Sequence, residues 1–306
     1  MAASSSRAVK EARGESIEGP NWLELPREVT AKILHKLGPF DIFTNASRVC
    51  PLWWKICMDP LMWRTIYLTN RPPYSHSKLA MFCRHAIKRS CGHLEDISIE
   101  GIGTDEVLKY IADSGSHLRR ICLLKCWEIS DKGLREVVKK LPLLEEFEIS
   151  FSCLSKDTLE LMGKCCPNLK VLKFNMKEYK GLKSDAEAFA IAKTMPQLCH
   201  LQLLGNRLTN EGLLAILDGC PHLESLDLRV CSNVDLSGSL RERCCKQIRD
   251  LRFPEDLSEV STYVEDEQPD YDYYFECDCG CDCDWSNEGD DRANDEYIIA
   301  DYYGLL

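Results

Sequence analysis

Between Leu94 and Phe253 the chain repeats one spacing of apolar positions seven times. The copies are Leu94-x-x-Ile97-x-Ile99, Leu118-x-x-Ile121-x-Leu123, Leu144-x-x-Phe147-x-Ile149, Leu169-x-x-Leu172-x-Phe174, Leu198-x-x-Leu201-x-Leu203, Leu223-x-x-Leu226-x-Leu228 and Ile248-x-x-Leu251-x-Phe253. Successive starts lie 24, 26, 25, 29, 25 and 25 residues apart. Trp63-x-x-Ile66-x-Leu68 is an earlier, looser copy, followed by the helical stretch His76–Lys88. The alternation predicts a short strand in each copy, with its apolar residues on one face. A helix returns between strands. Its start is marked by Ser130-Asp131, Ser155-Lys156 and Thr209-Asn210, whose hydroxyls can accept first-turn N–H groups. Gly92, Pro142, Pro167, Pro196 and Pro221 mark the breaks after the helices.

A period of about 25 residues with one strand and one helix per copy is the pattern of leucine-rich repeats. No single copy can bury its apolar face, so stacking must build a continuous core under a curved parallel sheet. The 29-residue copy, containing Glu178-Tyr179-Lys180-Gly181, is expected to carry a surface insertion. Alternation places Asp96, Ser98, Glu100, Arg120, Cys122, Glu146, Glu148, Lys173, Asn175, His200, Gln202, Asp227, Arg229, Asp250 and Arg252 on the open sheet face. Their mixed sign suits a protein partner better than a polyanion or a lipid surface.

The region before the repeats reads differently. Pro26 fits a helix start, and Val29, Ile33, Leu34 and Leu37 follow at helical spacing until Gly38-Pro39. A second helix is predicted from about Phe40 to Val49. A third opens at Pro51, and Asp59-Pro60 turns the chain toward Trp63. The third helix is apolar nearly all round: Leu52, Trp53, Trp54, Ile56 and Cys57 occupy five of the seven positions Pro51–Cys57. About 45 residues cannot bury that much surface alone. The unit must therefore press on the rest of the chain, on another protein, or on both.

Composition adds compartment and charge. With 44% hydrophobic and 28% charged residues the chain has a soluble, globular balance. It shows no long apolar run and no secretory leader, so an intracellular location, nuclear or cytoplasmic, is expected. In that setting most of the 18 cysteines should be buried thiols rather than disulfides. Cys126 and Cys231 share one repeat position, and Cys165, Cys166 and Cys220 lie just before a proline at a helix end, a pattern of packing and not of a nucleophile. His93, His117 and His222 each precede the first leucine of a copy and read as loop residues, not as a shared metal site. The net charge of −11 is uneven. From Glu255 to the end there are 18 Asp and Glu residues and one base, Arg292, so the body before it is mildly basic. Cys277-Asp-Cys-Gly-Cys-Asp-Cys283 lies in this acidic stretch, but its C-x-C spacing differs from the usual zinc ligand spacing, and no metal is assigned.

Leu25-Pro26, Val29, Ile33-Leu34, Leu37, Asp41-Ile42, Val49-Cys50, Trp53 and Trp63 stand in the order and spacing of an F-box. Together with the repeats, the chain resembles a plant-type F-box/leucine-rich-repeat protein, and the likeness covers residues 21–257. The expected fold is α/β: an all-helical F-box (21–66), a leucine-rich-repeat solenoid (67–257) with parallel strands inside and helices outside, a short disordered N-terminus (1–20) and an acidic, cysteine- and aromatic-rich disordered tail (258–306). The resemblance implies a non-catalytic substrate receptor of a Skp–cullin–F-box ubiquitin ligase, with no cofactor. By that resemblance Leu25, Pro26, Ile33, Leu34, Val49, Cys50 and Trp53 would meet the Skp-type adaptor and through it a cullin; the alternative is that several of the apolar set, especially Val29, Leu37 and Trp63, only form the F-box core or its seam with the first repeat. Arg120, Glu146, Glu148, Lys173, Gln202, Asp227, Arg229 and Arg252 are the candidates for contact with the protein substrate. Neither nucleic acid nor membrane is expected as a partner. The alternative is a repeat scaffold acting without ligase coupling.

Overall fold

The computed structural model of this chain describes residues 24–69, 75–151, 154–176 and 183–256. The expected termini 1–20 and 258–306 and the insertion at 178–181 lie outside the described residues. The helical unit comprises α1 (Arg27–Leu34), α2 (Pro39–Thr44) and α3 (Pro51–Cys57), with 3-10 turns at Ala46–Arg48 and Pro60–Trp63. The helix foreseen over 40–49 is thus two shorter pieces, because Asn45 leaves the helical region at φ −121°. Cys50 caps α3 with its sulfur accepting the Trp53 N–H, and Asp59 Oδ1 accepts the Leu61 N–H at 3.1 Å.

Eight parallel strands follow in strict chain order: β1 (Thr65–Leu68), β2 (Asp96–Glu100), β3 (Arg120–Leu124), β4 (Glu146–Ser150), β5 (Val171–Asn175), β6 (His200–Gln202), β7 (Ser225–Asp227) and β8 (Asp250–Arg252). The returns are α4 (His76–Arg89), α5 (Asp105–Ser114), α6 (Asp131–Val138), α7 (Lys156–Cys165), α8 (Ala186–Thr194), α9 (Asn210–Gly219) and α10 (Gly238–Gln247). The register is constant, so each core position forms a row: Ile66, Ile97, Ile121, Phe147, Leu172, Leu201, Leu226 and Leu251 are mutual neighbours along it.

Two periodic devices close each copy. Seven residues after its first leucine, the backbone enters the left-handed region at Gly101, Lys125, Phe151, Gly205 and Val230. At four of these the N–H then donates to the next copy: Gly101 to Leu124 O, Phe151 to Asn175 O, Gly205 to Arg229 O and Val230 to Pro254 O. One residue later, the Cys126 and Cys231 thiols donate to Ile99 O and Leu203 O of the preceding copy. The repeating Cys126 and Cys231 are packed in the core, as their spacing predicted, and in addition bond backbone carbonyls there.

The boundary expected at 66/67 falls inside β1, and the core is continuous across it. Trp63 is buried, donates Nε1–H to Cys57 O at 3.0 Å and stacks on Phe43 at 4.8 Å between ring centroids. Phe82 of α4 packs on Phe43 and edge-on to Phe40. Part of the apolar surface of the helical unit is thus covered by the first return helix.

Candidate functional site

What α4 does not cover remains outside. Of the eleven large apolar side chains exposed among the described residues, five lie between 29 and 61: Val29, Leu37, Val49, Trp54 and Leu61. Val49 is 60% and Trp54 50% exposed, values a packed three-helix unit would avoid for residues this large. Both flank the Cys50 cap, Val49 before it and Trp54 in the first turn of α3, while Ile56 and Cys57 at the end of that helix are buried. Trp53 and Leu52 are half-buried against the core. On α1, Pro26 and Val29 are exposed and Ile33 is half-exposed.

The second surface is the open sheet face, and its charges are paired among themselves. Arg120 donates to Asp96 Oδ1 and to Glu146 Oε1, both at 3.1 Å. Lys173 Nζ lies 3.1 Å from Glu148 Oε2 and 3.7 Å from Glu146 Oε1. The Tyr67 hydroxyl donates to Asp96 at 3.1 Å. One alternating chain, Asp96–Arg120–Glu146–Lys173–Glu148, therefore crosses β2 to β5. Burial works against the Lys173 ammonium, but Glu148 and then Glu146 outweigh it and hold its pKa above the ordinary lysine value. From β5 to β6 the contacts are neutral: Asn175 donates to Ser150 Oγ at 3.1 Å and accepts from Gln202 Nε2 at 2.9 Å. His200 and Asp250 are exposed.

Seven buried thiols are held protonated by their surroundings. Burial raises Cys83, Cys122, Cys166 and Cys231 to about 12 and Cys57, Cys126 and Cys220 to about 11. No group of three or more His, Cys, Asp or Glu side chains among the described residues could hold a metal ion. No described helix is long and apolar enough to cross a membrane.

The family model described as F-box-like matches residues 22–69, the helical unit with β1. F-box protein SKIP19 of Arabidopsis thaliana is 47% identical to this chain over 258 residues, covering 84% of this chain and 83% of its own length. Putative F-box/LRR-repeat protein 22 of the same plant is 43% identical, covering 80% of each. The chain belongs to the F-box/leucine-rich-repeat proteins. Putative F-box/LRR-repeat protein 23 is 48% identical over 77% of this chain, but the chain spans only about half, 54%, of that relative.

The structure redistributes the residues singled out in the sequence. Of the F-box set, Pro26 and Val49 are exposed, and Leu25, Ile33, Cys50 and Trp53 are half-exposed. Leu34 is 0% exposed and belongs to the core, because the inward turn of α1 faces α3. Val29 and Leu37, expected in the core or seam, are exposed instead, and only Trp63 fills that role. Trp54 was named only as part of the apolar third helix and not among the adaptor contacts; its exposure could not be read from a helix with apolar residues on nearly every side.

On the repeats, Arg120, Lys173 and Gln202 sit where alternation put them, with Glu146 half-buried between the first two. Glu148 faces the same way but is buried under Lys173. Arg229 is a correction. β7 ends at Asp227, so Arg229 lies in the following turn, where its guanidinium closes on Asp227 (Nη2 to Oδ2, 2.7 Å) and both residues are buried. Asp227 and Arg229 are a fastening of the last repeats, not an open contact surface. Arg252 is half-buried on β8.

Proposed function

We propose that this F-box/leucine-rich-repeat protein is the non-catalytic substrate-recognition subunit of an SCF-type cullin-RING ubiquitin ligase, working inside the cell in the nucleus or the cytoplasm. The observation that carries the reading is the exposed apolar set Val49 and Trp54, with Pro26 and Val29, on a unit that matches an F-box model. Burying these side chains against a Skp-type adaptor would remove the surface that the chain's own core leaves open. Leu25, Ile33, Cys50 and Trp53 border that set and would contribute at its edge.

The repeats would hold the protein substrate. Because the charges of β2 to β5 already satisfy one another, the substrate is recognised there by shape and hydrogen bonding around Arg120, Glu146, Lys173 and Gln202 rather than by bulk charge. No bond chemistry is asked of this chain. It converts the meeting of a substrate lysine with charged ubiquitin into a near-intramolecular event. The shared core of Trp63, Phe43 and Phe82 supports this, since it fixes the helical unit rigidly to the first repeat.

The test is capture of a Skp-type adaptor by the intact chain and by Val49→Glu/Trp54→Ala, whose sites are exposed and so leave the fold intact. Binding by the intact chain and a loss of at least about tenfold in the variant is expected for a central aromatic anchor. An intact, folded chain that captures no adaptor would leave only the scaffold reading.

A further inference from the structure

The open sheet face is not polar throughout. Next to the helical unit it carries apolar side chains that the charged positions around them hide in the sequence. Tyr67 of β1 is 54% exposed, and its register neighbours on β2 and β3, Ser98 and Cys122, are small. The Tyr67 hydroxyl bonds Asp96 of β2 at 3.1 Å, so the ring leans over the second strand. The next outward row runs Glu100, Leu124, Ser150 and Asn175, and Leu124 is half-exposed. Just past β3, Trp127 is 44% exposed and packs on the half-exposed Phe151 of the turn after β4, with ring centroids 5.7 Å apart. Tyr67, Leu124, Trp127 and Phe151 thus mark an apolar strip from β1 to the end of β4.

The fixed charges around the strip do not balance. The ladder Asp96–Arg120–Glu146–Lys173–Glu148 holds three acids against two bases. The pairs Arg64–Glu95 and Lys125–Glu100 cancel, and the exposed Glu128 follows Trp127. The surround therefore carries an excess of two negative charges, and aromatic ring faces are themselves negative. A cation gains from both, and a guanidinium in addition stacks flat on a ring. An acidic partner would be repelled.

We propose, resting on the receptor role above, that this strip specifies the substrate: an extended segment of the substrate protein lies across β1 to β4, with apolar side chains over Cys122, Leu124 and the Trp127–Phe151 pair and an arginine or lysine against the Tyr67 ring beside Asp96. Three strand spacings are about 14 Å, a distance about four extended residues span. The large rigid rings supply the anchors, and the paired charges beside them set the register of the segment. Because β1 adjoins the helical unit, the substrate is held next to the surface assigned to the adaptor.

The test selects phage-displayed random peptides of about twelve residues, long enough to cross the strip, on the immobilised full chain, on Tyr67→Ala/Trp127→Ala and on Val49→Glu/Trp54→Ala. The best peptide, and its copy with glutamine in place of the cation, are then titrated by fluorescence anisotropy. Selected peptides are expected to share an arginine or lysine beside an apolar residue. Tyr67→Ala/Trp127→Ala should weaken binding at least about tenfold, the glutamine copy about three- to tenfold, and Val49→Glu/Trp54→Ala not at all. Tyr67 and Trp127 are exposed, so their variant should melt like the native chain, and the glutamine copy tests the cation on the unaltered protein. Adaptor capture is measured on the same preparations. A chain that captures adaptor but selects acidic peptides, no peptides, or peptides bound equally by Tyr67→Ala/Trp127→Ala would overturn this surface and leave the receptor role standing. A chain that captures no adaptor but binds the expected peptide through Tyr67 and Trp127 would overturn the receptor role and support the peptide surface.

Discussion

The carboxylate of Asp105 accepts two hydrogen bonds from Ser130, one repeat further on: from its backbone N–H at 2.8 Å and from its hydroxyl at 2.5 Å. The Ser130 hydroxyl in turn accepts the Gly133 N–H at 2.9 Å, the N-cap bond of α6. The arrangement recurs. Asp131 holds Ser155 at 2.9 and 3.0 Å, Asp185 holds Thr209 at 2.7 and 2.8 Å, and the Asn210 amide oxygen accepts the Asp235 N–H at 2.9 Å. The starts of α6, α7 and α9 are thus capped by their own hydroxyls, Ser130, Ser155 and Thr209, and steadied by an acid one repeat back. The register passes from repeat to repeat through this ladder as well as through the sheet.

The ladder explains a glycine that helix propensity disfavours. A Cβ on Gly133 would stand 2.1 Å from Asp105 Oδ1, and one on Gly212 2.2 Å from Asp185 Oδ1. Gly→Ala in a helix ordinarily gains about 1 kcal/mol. Gly133→Ala should instead lose about 1–2 kcal/mol, because the Asp105 carboxylate is displaced from two hydrogen bonds worth about 1 kcal/mol each. In an Asp105→Ala background the same substitution should become neutral or stabilising. Urea unfolding of the four proteins measures the sign change.

Lys173→Met should cost about 2–4 kcal/mol, since it strands the buried Glu148 carboxylate without its cation. Adding Glu148→Gln should recover much of that loss. The pH dependence follows from the raised pKa of Lys173. Its contribution is complete below the unfolded lysine value of about 10.4 and disappears as pH climbs through the higher folded value. Melting temperature against pH should fall more steeply above about pH 10 in the native chain than in Lys173→Met.

Val230, at φ 62°, is a β-branched residue in a conformation that favours glycine, and Gly101 and Gly205 occupy the equivalent place in other copies. Val230→Asn should raise stability by up to about 1 kcal/mol, because asparagine tolerates the left-handed region. An unchanged or lower denaturant midpoint would count against strain at this turn.

Alkylation at pH 8 of the native protein, mapped by mass spectrometry, should label the exposed Cys91 and Cys245 within the described residues. Cys57, Cys83, Cys122, Cys126, Cys166, Cys220 and Cys231 should remain unlabelled until denaturant is added. Their thiols are buried and held at about 11 to 12, so the reactive thiolate is scarce even at pH 9. Early labelling of Cys126 or Cys231 would show that the thiol-to-carbonyl bonds between copies open readily.

The repeat period, the inward leucine rows, the role of the repeated cysteines and the F-box stretch were all legible in the sequence. Each is a local pattern: a strand or helix turns its side chains at a fixed rate, so spacing alone states which residues share a face. Only the tertiary structure decided which faces are covered. Leu34 and Val29 lie on the same short helix, yet α3 hides the first and leaves the second in solvent. Arg229 obeys the alternation of β7, but the strand ends two residues earlier and the turn folds the guanidinium onto Asp227. Asp105 and Ser130 look like unrelated cap residues until stacking places them 2.8 Å apart. Coverage, strand length and ladder contacts depend on neighbours about 25 residues away in the chain, and that distance is closed only by the packing of one copy on the next.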